Sequence, residues 1–152
     1  ISCSEYLYSY KGIKLSHAPY FDIDKEANMQ KALSDLINQG IIESAHDVSE
    51  GGLFIAMLES AMCRNFGFEL YTSGEIRLDS FLFGEGQGRV VVTVKAGKEN
   101  DFIDMLNISN VPCCAVGSVR ADGVIMVDEE VFGKVSDFKT VYDNAIGDVL
   151  DK

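Results

Sequence analysis

The segment RVVVTVKA, residues 89–96, restricts the fold more than any other stretch. Branching at Cβ stiffens χ1 and favours extended backbone, so four valines and a threonine in a row form a strand. The run is apolar on both faces, which predicts a central strand covered on each side. It follows FGEGQG, residues 83–88, whose alternating glycines mark a loop rather than a continuation. A strand of this kind needs helices to cover it, and the chain supplies their pattern.

Asp22 or Asp24 caps a helix over 25–39. Met29, Ala32, Leu33, Leu36 and Ile37 recur there at helical spacing, and Gly40 is the stop signal. IIESAHD reads as a short strand. Residues 53–64 form a helix apolar on most sides, hence buried. FGFELYT is another strand, and residues 97–106 a helix with Phe102, Ile103 and Leu106 inward. VPCCAVGSV, the turn ADG and VIMV predict a hairpin. Val135, Phe138, Val141, Tyr142, Ala145, Ile146 and Val149 define one face of an amphipathic C-terminal helix. SEYLYSY near the start reads as a short helix or turn, and SHAPYFD as a loop fixed by Pro19. Strands and helices mix without strict alternation. The fold class expected is α/β, a mixed sheet with covering helices, in one domain spanning 1–152.

Composition narrows the function classes. A net charge of -11 argues against nucleic acid as a partner. It leaves room for a local phosphate site, which backbone amides and one or two cations can build. No apolar run approaches the roughly 20 residues of a membrane span, so no membrane association is expected. Cys3, Cys63, Cys113 and Cys114 lack metal-ligand spacing, and with two histidines no metal site is expected. They read as reduced thiols, mostly small core residues, of a cytoplasmic protein.

Two stretches carry candidate chemistry. In HDVSEGG a strand ends in a glycine turn that enters a helix, an arrangement suited to anions. His46 could bond a phosphate or move a proton, and Asp47 lies beside it. Ser49 sits at the helix start, while Gly51 and Gly52 would let a ligand approach the backbone. The competing reading is that Ser49 or Asp47 caps the helix and Glu50 complements its dipole. In FGEGQGR, Glu85, Gly86, Gln87, Gly88 and Arg89 would present amides and polar tips to a ligand. The competing reading is a turn whose glycines satisfy backbone geometry. No Ser-His-Asp or Cys-His arrangement can be assembled, so no catalytic residue is assigned.

Together, SEYL, FDIDKEANMQKALSDLINQGIIESAHDVSEGGL and LFGEGQGRVVVTV resemble phosphoribosylformylglycinamidine synthase, also called formylglycinamide ribonucleotide amidotransferase. The resemblance is to its last aminoimidazole-ribonucleotide-synthetase-like C-terminal domain and covers nearly the whole chain. It implies a three-layer α/β fold and a C-terminal fragment of a longer multidomain enzyme. It implies a parent ligase of purine biosynthesis that uses ATP and magnesium. That parent converts formylglycinamide ribonucleotide and glutamine-derived ammonia to the amidine. Implied partners are the remaining domains and a glutaminase domain or subunit. The fragment would be inactive alone and open to self-association. The catalytic histidine and the main nucleotide ligands would lie outside this chain, so His46 is not that histidine. Three residues depart from the usual motifs: Gly86 for serine, Cys3 for glycine and Glu50 for aspartate. The alternative function is a non-catalytic nucleotide- or phosphate-binding module, or a purely architectural one.

Overall fold

The computed structural model describes residues 1–150. The chain divides into two compact units, Ile1–Ala56 with Arg77–Ala115, and Met57–Ile76 with Val116–Lys152. Among the described residues the strands form two sheets, one of two strands and one of four.

The first unit is built on helix α1 (Ile23–Asn38) and strands β1 (Ile42–Asp47) and β3 (Val90–Val94). Asp22 caps α1, its carboxylate accepting from the Lys25 N–H at 3.1 Å. Helix α1 turns Ala32 and Leu36 inward against Ile41, Ile42 and Leu106, with Val92, Val94 and Phe102 packed around them. Leu106 and Phe102 come from α4 (Glu99–Ile108), whose Ile103 is exposed instead. Strand β3 pairs antiparallel with β1, from Ile42 opposite Val94 to Asp47 opposite Val90. Among the described residues it has no second partner strand, and all five of its residues are only partly buried. The central, doubly covered position expected of this valine run is therefore not what this unit provides. Val92 and Val94 face the helices, while Thr93 shares the other face with Ser44, their hydroxyls 2.6 Å apart.

The Asp22 cap gives a pH prediction. Its hydrogen bond from the Lys25 N–H holds the carboxylate below its ordinary pKa. The contribution is present above the ordinary aspartate pKa that the unfolded chain shows. It disappears as pH falls through the lower folded value. Asp22→Asn keeps an acceptor but loses the charge. The wild-type melting temperature should exceed the variant's near neutrality, and the gap should close under acid. An unchanging gap from neutral to acid pH would contradict this assignment.

The second unit carries a mixed sheet in the order β4-β2-β5-β6. Its strands are β2 (Gly67–Leu70), β4 (Gly117–Arg120), β5 (Val124–Val127) and β6 (Glu130–Lys134). Strand β2 is antiparallel to β4 and parallel to β5, and β5 is antiparallel to β6. The hairpin expected between VPCCAVGSV and VIMV does not form, because β2 lies between those strands. Glycines make the insertion possible. An added Cβ on Gly67 would lie 2.1 Å from the Val124 carbonyl oxygen, and one on Gly117 1.8 Å from that of Glu69. The hairpin instead joins β5 to β6 through Asp128 and Glu129, both at positive φ. The Asp128 carboxylate accepts from the Thr72 N–H at 2.7 Å and its hydroxyl at 2.5 Å, pinning that turn.

Two further expectations fail. The C-terminal helix is broken into α5 (Val135–Asn144) and α6 (Gly147–Leu150). Of its apolar face, Val135 is fully buried, whereas Val141, Tyr142, Ile146 and Val149 are exposed. All four cysteines are exposed rather than in the core. For Cys113 and Cys114 the cause is local, since they lie in irregular chain before β4.

Candidate functional site

The candidate residues all fall in the first unit, where the β1–β3 ribbon ends. His46 lies opposite Val91, and its Nδ1 is 2.7 Å from the Asp47 carbonyl oxygen. The Asp47 carboxylate sits 3.6 Å from the same nitrogen and is largely exposed. One residue on, the Val48 N–H donates to the Arg89 carbonyl at 2.9 Å, which ties the two loops together at their roots.

The chain then turns into helix α2 (Gly52–Met62). The Gly52 N–H donates to the Ser49 carbonyl at 3.0 Å, closing the turn. Gly52 has φ +71°, a left-handed conformation that glycine alone adopts without penalty. An added Cβ there would lie 2.7 Å from the Phe83 carbonyl carbon and 2.8 Å from the Leu82 oxygen. At Gly51 the same space is filled by Ile55, 2.4 Å away. What approaches these glycines closely is the protein itself. Phe83 closes the short helix α3 (Leu78–Phe83), and its ring stacks on Tyr6 at 5.1 Å and meets Phe54 edge-on.

Glu85 joins the segments. Its Oε1 accepts from the Gly51 N–H and from the Glu5 N–H, both at 2.8 Å. One carboxylate thus clasps the N-terminal segment, the turn before α2 and the glycine loop. Ser4, beside Glu5, is the one buried polar residue among those described, 1% exposed. Its hydroxyl accepts from the Leu7 N–H at 3.3 Å.

Arg89 is half-buried, and its Nη1 donates to the Gly84 carbonyl at 3.0 Å. Burial pushes its pKa down, partly offset by Cys114. Gly86 is open: an added Cβ would meet only the Arg89 Cδ, at 3.7 Å. Gln87 and Gly88 are exposed. Beneath Gly88 lies Glu26 of α1, its Oε2 2.7 Å from where a Cβ would stand. Glu26 Oε1 accepts from the Gln30 amide at 2.7 Å, while Oε2 is shut from solvent with no hydrogen-bond partner.

The structure thus joins the two motifs through Gly51, Glu85, Val48 and Arg89. Glu26 and the Glu5 amide belong to the same cluster but went unrecognised as part of it. Glu26 reads in sequence as a first-turn helix acid, and no local pattern places it under a loop some 60 residues later in the chain. Among the described residues no group of three or more His, Cys, Asp or Glu side chains could hold a metal ion. None of the described helices is long and apolar enough to cross a membrane.

A strand ribbon that feeds a glycine turn into a helix, with a separate mixed sheet, defines an α/β domain whose candidate site is built from loops. Residues 1–128 match the family described as AIR synthase related protein, C-terminal domain, and the chain belongs to that family. It is 33% identical over 126 residues to the phosphoribosylformylglycinamidine synthase subunit PurL of Caldanaerobacter subterraneus subsp. tengcongensis, covering 83% of this chain and 17% of that protein. It is 42% identical over 93 residues to the subunit of the same name from Salinibacter ruber, covering 60% of this chain and 12% of the relative. The chain therefore spans under a fifth of the length of these relatives. Among solved structures, Thermotoga maritima PurL complexed with FGAR superposes with a TM-score of 0.68 at 20% identity, over 83% of this chain and 23% of that one. That likeness establishes the fold.

Proposed function

We propose that this chain is one domain of a phosphoribosylformylglycinamidine synthase, a carbon–nitrogen ligase of purine biosynthesis in the cytoplasm. The carrying observation is the family match over residues 1–128 together with relatives at 31–35% identity that share that name. The parent reaction consumes ATP and glutamine-derived ammonia and converts formylglycinamide ribonucleotide to the amidine. The parent's other domains and a glutaminase domain or subunit are the partners in this reading.

The domain's own part is architectural. Magnesium does not fit the described residues, since among them no cluster of acids, cysteines or histidines could hold it. The nucleotide phosphates do not fit the α2 start either, since the Gly51 amide already bonds a carboxylate. His46, Asp47, Ser49, Gly51, Gly52, Glu85, Gly86, Gln87, Gly88 and Arg89 shape the rim of this domain. The chemistry belongs to the rest of the parent. Charge stabilisation and positioning dominate such phosphoryl-activated reactions, and here the converging Gly51 and Glu5 amides are already bonded to Glu85.

The purified 152-residue chain, given formylglycinamide ribonucleotide, ATP, magnesium and ammonia, should release no phosphate above background. Turnover by the isolated chain would defeat the architectural reading.

A further inference from the structure

We propose that the glycine loop of this chain is liganded from within: the Glu85 carboxylate occupies the place where a phosphate oxygen would bind. Two N–H groups converge on Glu85 Oε1, from positions 80 and 34 residues away in sequence. Convergent backbone amides from separate segments are how proteins hold oxyanions. Here both distances, 2.8 Å, are those of bonds to a charged acceptor. The donors of an anion receptor are therefore present, and the protein supplies the anion.

Two independent features deny the loop to an external phosphate. Glu26 Oε2 lies shut from solvent against Gly88, so a second carboxylate faces the loop from below. Arg89, the loop's one cation, gives its Nη1 to the Gly84 carbonyl. A phosphate entering here would meet two carboxylates, and the Arg89 Nη1 is already given to the Gly84 carbonyl. Two amides suited to an oxyanion are thus brought together with their acceptor position filled. The inference rests on the architectural reading of these loops, not on the parent's reaction. A phosphate titration can fail while the turnover assay still returns its expected result.

The test uses the 15N-labelled 152-residue chain and inorganic phosphate, with chloride matching the ionic strength. Glu85→Ala empties the position. Its Gly51 and Glu5 amide resonances should shift saturably with phosphate, and phosphate should raise its melting temperature more than chloride does. The wild type should bind at least about tenfold more weakly. Glu85→Gln keeps an acceptor oxygen in place and should behave as the wild type. A folded Glu85→Ala protein without phosphate-specific shifts would overturn the inference. So would a wild type or Glu85→Gln protein that responds as strongly as Glu85→Ala. If Glu85→Ala does not fold unaided, phosphate or acetate should restore folding, and failure of both anions would overturn it as well.

Discussion

Gly52→Ala is expected to lower the stability of the chain by about 2–5 kcal/mol. Two costs add. Left-handed backbone at φ +71° costs an L-residue about 1–2 kcal/mol. The new methyl would also stand 2.7 Å from the Phe83 carbonyl carbon, a backbone atom that no side-chain rotation can move away. Overpacking of that kind costs about 1–3 kcal/mol. The strain falls where α2 starts against the end of α3, so the Tyr6–Phe83 stack and the Glu85 clasp should loosen with it. Urea denaturation reads the effect as a lower midpoint at unchanged slope. Gly86→Ser is the matched control. Gly86 is not at positive φ and an added Cβ meets only the Arg89 Cδ, so the change should stay within about 0.5 kcal/mol. A Gly52→Ala midpoint equal to that of Gly86→Ser would remove the packing explanation for the paired glycines.

Ile125→Ala carries the second large effect, about 2–5 kcal/mol. Ile125 is completely buried in β5, the strand bonded to β2 on one side and β6 on the other. It lies opposite Phe68 across the parallel pairing and Gly133 across the antiparallel one. Truncation removes buried hydrocarbon and leaves a void between strands that hydrogen bonding holds in place. Ile146→Ala is the contrast. That residue is 75% exposed, although the amphipathic pattern assigns it to the same buried class. Its truncation should change stability by no more than about 0.5 kcal/mol. Equal losses at the two positions would show that Ile146 is covered in solution.

Much of the local structure was legible. An α1 cap at Asp22 or Asp24, the glycine stop after the helix, the β1 strand and the apolar α2 all follow from neighbours within a few residues, and the structure chose Asp22. What failed depended on partners distant in sequence. The valine run of β3 reads as a doubly covered strand because β-branched residues favour extended backbone wherever they lie; how many neighbours the strand has is a separate matter. The ADG turn reads as a hairpin because turn chemistry is local, whereas the insertion of β2 between β4 and β5 depends on glycines some 50 residues apart. The Asp128–Glu129 turn that does make a hairpin lacks a glycine, and a Thr72 clasp from another strand's end holds it.

The candidate site divides the same way. Sequence alone determined which residues could build an anion loop, because glycines, a helix start and polar tips are properties of short segments. It also determined the family, because three motifs in one order and spacing are rarely matched by chance. Only the tertiary structure decided what fills that loop. The Gly51 and Glu5 amides meet at one carboxylate oxygen, and Glu26 comes up beneath Gly88, through folding of distant segments onto each other. Hydrogen-bond occupancy depends on atoms a few ångströms apart in space, and spacing along the chain does not encode it.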